Sequence, residues 1–272
     1  MTGTEATFST ADGMELFTRT WSADNPRYEL LLVHGLGEHS GRWIEPMSHL
    51  VARGANVYTY DLRGHGQSGG GRIALERFDQ FYSDISEMAE ATAGASGRPW
   101  VLYGHSLGGL QCAGYLMANT APQPNLAVLS APAMSAEVPV VLRAAAAVFG
   151  RIAPGLRVAN SIKGEQLSKD PAVGEKYFAD ELVEVKATAR FGKAVFDEQA
   201  RLASILDTIS TPTLVIHGAD DTLVPPSASA GLAQSQGVER RLYPTLRHEL
   251  HNEAEGAEVM GDVADWIESK LF

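Results

Sequence analysis

Short uninterrupted apolar runs recur along this chain with helical segments between them, and that alternation most limits what it can fold into. Leu30-Leu31-Leu32-Val33, Trp100–Tyr103, Leu126–Leu129 and Thr213–Ile216 show no polar side to give to water. Runs of this length and kind read as strands covered on both faces. Asn56–Tyr60 and Arg240–Tyr243 read as further strands, and Thr7–Trp21 as a hairpin turning at Asp12-Gly13. Trp43–Ala52, Phe78–Ala93 and Gln111–Ala118 read as helices. In the last helix, Val259, Met260, Val263, Trp266, Ile267 and Leu271 fall on one apolar stripe. Strands alternating with helices predict an α/β fold: a mostly parallel central sheet with helices on both faces.

The alternation fails between residues 131 and 203. No buried strand is legible there, only an alanine-rich apolar segment (Val140–Phe149) and a mixed stretch of glycine, proline and charge. An interval that long inside a compact domain is usually functional, so the expected organisation is a core of residues 1–130 and 204–272 carrying an inserted, largely helical cap at 131–203. The 272 residues suffice for such a core without staples. Cys112 is the one cysteine, which excludes an internal disulfide and suits a reducing compartment. The N-terminus lacks the basic and apolar regions of a signal peptide, and no apolar run is long enough for a membrane span. The expected location is cytoplasmic, with peripheral membrane contact possible through the apolar cap segment Val138–Phe149. A net charge of −11, from 33 acids and 22 bases with no basic cluster, argues against nucleic acid as a partner.

Gly104-His105-Ser106-Leu107-Gly108 matches G-x-S-x-G, a weak motif alone. Its setting strengthens it, because it ends a buried strand and opens a helix, as a nucleophile elbow requires. Glycines at 104 and 108 are expected because side chains there would collide with neighbouring backbone. A serine hydroxyl needs a base, and the base an orienting acid, which in this strand–turn–helix setting follow the nucleophile in the order acid, then histidine. His248 stands in a short loop after a strand and before the last helix, and is the expected base. His217 precedes the acids, which is the wrong order, and His251 competes from three residues on. The acid belongs just after Thr213–Ile216, where Asp220 and Asp221 both stand, and local chemistry does not choose between them.

His34-Gly35-Leu36-Gly37 follows the Leu30–Val33 strand. The backbone N–H groups of Leu36 and of Leu107, the residue after the nucleophile, are the expected oxyanion donors. Asp61-Leu62-Arg63-Gly64-His65-Gly66-Gln67-Ser68 reads as a structural loop held by Asp61 and Arg63. No metal-ligand constellation or phosphate- or dinucleotide-binding motif is legible, and neither metal nor cofactor is expected.

These residues together resemble the monoacylglycerol lipase family of α/β-hydrolases. The resemblance runs over nearly the whole chain, is weakest across 132–165, and rests on Val33–Arg42 (VHGLGEHSGR), Asp61–Ser68, Gly104–Gly109, Leu214–Pro225 (LVIHGADDTLVP) and Arg247–Glu253 (RHELHNE). It implies that the acid is Asp221 and the base His248. It also implies that Glu38, Arg42 and His251 meet the glycerol head group and that Tyr177 lies near the site. Where the family often has D-P-L-V, this chain has Asp180-Glu181-Leu182-Val183. The reaction expected is hydrolysis of a small lipid ester, a monoacylglycerol, through an acyl-enzyme on Ser106. A general carboxylesterase or lysophospholipase with the same three residues is the nearer alternative, and a non-catalytic binding protein of this fold the remote one.

Overall fold

The computed structural model describes residues 3–135, 138 and 140–272; residues 1 and 2, and residues 136, 137 and 139 within the expected cap, lie outside the described residues. The main sheet has eight strands: β1 (Thr4–Ser9), β2 (Glu15–Trp21), β3 (Tyr28–Val33), β4 (Ala55–Tyr60), β5 (Trp100–His105), β6 (Leu126–Ser130), β9 (Thr213–Gly218) and β10 (Val238–Tyr243). Their spatial order is β1-β2-β4-β3-β5-β6-β9-β10. From β4 to β10 all neighbours run parallel, while β1 and β2 form a hairpin that joins β4 antiparallel. The uninterrupted apolar runs have a simple cause. Leu31 and Val33 enter the core on one face, and Leu30 and Leu32 the core on the other. Trp100 and Leu102 alternate with Val101 and Tyr103 in the same way.

Helices α1 (Ile44–Ala52) and α8 (Gly256–Leu271) cover one face, through Met47, Leu50, Val259, Met260, Val263, Trp266 and Ile267. Helices α2 (Gln80–Ala91) and α3 (Leu107–Met117) cover the other, through Phe81, Ile85, Met88, Leu110 and Tyr115. The chain runs from β3 through α1 to β4 on one side of β3, then through α2 to β5 on its other side. In open α/β sheets that reversal leaves a crevice at the carboxyl ends of the strands. His34, Ser106 and the loop after Gly218 all stand at those ends.

Residues 131–203 supply no strand to the main sheet among the described residues. They hold α4 (Val140–Ile152), α5 (Gly164–Leu167), α6 (Pro171–Ala179) and α7 (Ala189–Leu202). Two three-residue strands unread in the sequence, β7 (Arg157–Ala159) and β8 (Lys186–Thr188), pair antiparallel as a separate ribbon. Asp170 caps α6 by accepting from the Ala172 N–H at 2.9 Å, with Pro171 at the first helical position. Thr188 caps α7 by accepting from the Phe191 N–H.

Candidate active site

Ser106 sits between β5 and α3 with φ 53° and ψ −114°, a backbone conformation that side chains other than glycine seldom adopt. The surroundings hold it there. Its N–H donates to the Ser130 carbonyl at 2.9 Å, and its own carbonyl accepts from the N–H groups of Leu110 and Ala133 at 3.0 Å each. The flanking glycines are needed for space. A Cβ on Gly104 would fall 2.5 Å from the Gly108 carbonyl oxygen, and one on Gly108 would collide with the Val33 carbonyl oxygen.

The serine points at His248, whose Nε2 lies 2.9 Å from Ser106 Oγ. On the far side of the ring, His248 Nδ1 lies 2.7 Å from Asp221 Oδ2. Asp221 is held in turn by the N–H groups of Leu223 and Val224, which donate to its Oδ1 at 2.8 and 2.9 Å. Of the two acids the sequence offered, only Asp221 meets the histidine; Asp220 is exposed, and its carboxylate makes no hydrogen bond among the described residues. Burial opposes ionisation of Asp221, yet the adjoining His248 and the hydrogen bonds from His217, His248 and Val224 hold its carboxyl well below the usual carboxylate range. Burial alone would depress His248, but the Asp221 carboxylate outweighs it and raises the imidazole above its ordinary value.

Sequence order set His217 aside as a base, and it is not one here. It is nevertheless part of the site. Its Nε2 lies 3.2 Å from Asp221 Oδ2 and 2.9 Å from the Val224 carbonyl, so this nitrogen carries the proton and donates. The signal was its place four residues before Asp221, at the end of β9.

The loop after β3 is clamped from three directions. Glu38 Oε1 accepts from the Gly35 N–H at 2.6 Å, and its Oε2 accepts from Arg42 Nη1 and Trp43 Nε1, both at 3.1 Å. His34 Nε2 accepts from the Leu62 N–H at 2.9 Å. The Tyr177 hydroxyl donates to the Leu36 carbonyl at 3.3 Å, and the Glu184 N–H donates to the Gly37 carbonyl at 2.9 Å. Leu36 and Leu107 both line the cavity that holds Ser106. Leu107 is the first residue of α3, so its N–H has no acceptor within the helix. The loop Asp61–Ser68 is held by its acid and its arginine: Asp61 accepts from Ser40 and from the Gln67 N–H, and Arg63 donates to Asp84 and Asp12.

The expected head-group residues divide. Glu38 and Tyr177 line a cavity of about 430 Å³ together with Ser106, His248, Leu36 and Leu107. Arg42 and His251 do not reach its wall. Arg42 forks onto Glu249 at 2.7 and 2.8 Å and also contacts Glu38, while its guanidinium lies over the Tyr177 ring. His251 is stacked on Trp43, with ring centroids 3.9 Å apart, and neither ring nitrogen has a partner among the described residues. Burial pushes this imidazole down to about 3, so it stays neutral. His105, beside both His248 and His251, is likewise depressed by burial and then by those two neighbours.

The rest of the cavity wall is chiefly apolar and comes from α4, α7 and the β7–β8 ribbon, with Ala145, Phe149, Val158, Ala187, Val195 and Phe196 among its residues. Residues 165–169 tie this layer to the histidine loop. The Glu249 N–H donates to the Leu167 carbonyl at 2.8 Å, and Arg247 Nη1 donates to the carbonyls of Glu165 and Ser168. Glu253 accepts from the Arg247 N–H at 2.8 Å on one oxygen, and from Ser168 Oγ and the Lys169 N–H on the other. No cluster of metal-ligating side chains occurs among the described residues.

The chain resembles known proteins along nearly its whole length. Residues 24–255 match the family Hydrolase_4, described as serine aminopeptidase, S33. A monoacylglycerol lipase of Mycolicibacterium smegmatis is 35% identical over 281 residues, covering 99% of each chain. The crystal structure of a monoacylglycerol lipase from Paleococcus ferrophilus, 30% identical, superposes with a TM-score of 0.86 over 94% of this chain and 100% of that one. A soluble variant of a Saccharomyces cerevisiae monoglyceride lipase in complex with a substrate analog, 22% identical, shares the fold with a TM-score of 0.89, covering 100% of this chain and 96% of that one.

Proposed function

The chain belongs to the Hydrolase_4 family, and on that premise we propose that it is a serine hydrolase cleaving monoacylglycerols to a fatty acid and glycerol. One observation carries the reading: the hydrogen-bonded row Ser106–His248–Asp221 opens at its serine end onto an apolar cavity of about 430 Å³, within the range that small-molecule sites occupy. Ser106 Oγ attacks the ester carbonyl as His248 Nε2 takes its proton. The Leu36 and Leu107 N–H groups receive the oxyanion, and His248 then protonates the departing glycerol oxygen. Water, deprotonated by His248, releases the fatty acid from Ser106, while Asp221 keeps the imidazole in the tautomer that accepts at Nε2. The named activity of the Mycolicibacterium smegmatis relative supports the substrate. Peptide substrates with a free α-ammonium fit less well, because such a cation needs an unpaired carboxylate. The two acids on the cavity wall, Glu38 and Glu249, are both engaged by Arg42.

In this reading residues 131–203 are the cap and residues 1–130 and 204–272 the core. The acyl chain lies under α4 and α7, and the alcohol faces Glu38 and Tyr177. Val141, Val148, Ile152 and Leu156 are exposed apolar side chains of the cap and suit transient contact with a membrane or micelle. No helix among the described residues is long and apolar enough to cross a membrane. The protein then works in the cytoplasm, peripheral to lipid.

The test is a panel of mono-, di- and triacylglycerols, lysophospholipids, short p-nitrophenyl esters and aminoacyl p-nitroanilides, given to wild type and Ser106→Ala. Monoacylglycerols are expected to have the highest kcat/KM, and the variant to lose turnover while keeping its fold. Equal rates on mono- and triacylglycerols of one acyl chain would replace the substrate by a general ester, and near-normal turnover by Ser106→Ala would end the serine-hydrolase reading.

A further inference from the structure

One face of α7 walls the cavity. Ala189, Gly192, Val195, Phe196 and Gln199 all line it, at the three- and four-residue spacing of a single helical stripe. Gly192 is the anomaly in that stripe. A glycine inside a helix weakens it relative to alanine, so it normally has a steric reason. Nearby glycines have one. A Cβ on Gly150 would press on Lys193 Cβ at 2.8 Å, and one on Gly164 on the Gly174 Cα at 3.0 Å. Gly192 has neither a left-handed backbone nor a close neighbour, because a Cβ there would meet nothing within 4 Å. What its missing side chain leaves open is the cavity itself.

The stripe also has a direction relative to the nucleophile. At one end, Gln199 Nε2 donates to the Ala133 carbonyl at 2.8 Å, and the Ala133 N–H donates to the Ser106 carbonyl at 3.0 Å. Gly192 lies two helical turns back from Gln199, a rise of roughly 10 Å. Ala145 and Ala146 of α4, with Ala187 and Ala189, continue the small-residue lining. We propose that Gly192 is a specificity-determining residue: its open position is the track along which a long acyl chain passes, so it admits long-chain esters that a side chain there would shorten or exclude. The inference rests on acylation at Ser106. On this track a palmitoyl chain is expected to reach Gly192 and a butyryl chain to end before it.

The experiment compares wild type with Gly192→Ala and Gly192→Leu, using p-nitrophenyl palmitate and p-nitrophenyl butyrate. The readout is the ratio of their kcat/KM values, alongside Tm. Leucine in occupied acyl space is expected to lower the palmitate-to-butyrate ratio by about tenfold or more, with alanine falling between. Gly192→Ala is expected to keep or raise Tm, because only helix propensity changes. A ratio that stays within about twofold for Gly192→Leu, or a lowered Tm for Gly192→Ala, overturns the proposal. Displacement of cis-parinaric acid supplies a readout independent of turnover. If wild type cleaves neither ester, the Ser106 reading has failed, and weaker fatty-acid binding by Gly192→Leu still decides for the acyl track while unchanged binding decides against it.

Discussion

Replacing Asp221 by asparagine removes one charge and adds one donor, and the structure dictates how that amide must sit. One oxygen of Asp221 receives two backbone N–H groups, from Leu223 and Val224, at 2.8 and 2.9 Å. The other faces His248 Nδ1 at 2.7 Å and His217 Nε2 at 3.2 Å. An asparagine cannot turn its NH₂ toward the two backbone donors without leaving both unpaired, at about 1–3 kcal/mol each. Its oxygen therefore stays on the backbone and its NH₂ faces His248. The imidazole must then accept at Nδ1 and carry its proton on Nε2, so it can no longer take the proton of Ser106. The same inversion in serine proteases costs on the order of 10⁴ in kcat, or about 5.5 kcal/mol at 1.36 kcal/mol per tenfold. Asp220→Asn changes an exposed carboxylate without a partner among the described residues and should stay within about twofold of wild type. Steady-state hydrolysis of p-nitrophenyl butyrate by both variants, with circular dichroism to verify folding, measures the difference. Equal losses in the two variants, or more than about 1% of wild-type kcat in Asp221→Asn, would refute the tautomer argument.

Two other outcomes follow from the same site. Since Asp221 raises His248, and the base must be neutral to act, the acidic limb of the kcat/KM–pH profile should lie above the ordinary imidazole value of about 6.5. A limb at or below that value would contradict the pairing. Glu38→Ala removes the acceptor for the Gly35 N–H and for Trp43 Nε1, so the loop carrying the Leu36 amide loses its brace. The loss in kcat, on the order of 10² as for a displaced oxyanion donor, should appear on p-nitrophenyl butyrate as well as on monoacylglycerols. A purely head-group role for Glu38 would spare the p-nitrophenyl ester.

The parts legible in the sequence are those where a local pattern and a long-range demand coincide. The strands β3, β5, β6 and β9 read directly because both their faces are covered, which favours apolar residues on both faces rather than on alternate positions. The elbow read through its neighbours, since a glycine pair around a serine acquires meaning only between a buried strand and a helix. Local chemistry does not separate Asp220 from Asp221, and only the family resemblance pointed to Asp221, because the two differ in nothing but the direction the turn after β9 gives them, one to solvent and one to His248. His217 was judged by its order along the chain, although its contact with Asp221 depends on neither residue being the base. The β7–β8 ribbon left no trace because its strands are three residues long and largely exposed. Arg42 and His251 stood in a polar motif, and their ion pairing and stacking behind the wall needed three-dimensional packing to see.

The hydrogen bonds between residues 165–169 and the loop bearing His248 have a practical consequence for protein engineering. Exchanging the whole insertion between relatives, to transplant one enzyme's substrate range onto another, would discard the carbonyls of Glu165, Leu167 and Ser168 and the partners of Glu253 that hold the base. A chimera with its cuts at 131 and 203 is therefore expected to keep its histidine aligned only where the donor segment sets its own carbonyls, N–H and hydroxyl where residues 165–169 set theirs. Grafts confined to the stretch before residue 160, which carries α4 and the first strand of the ribbon, keep that brace in the recipient. They are the exchanges expected to change selectivity without abolishing turnover.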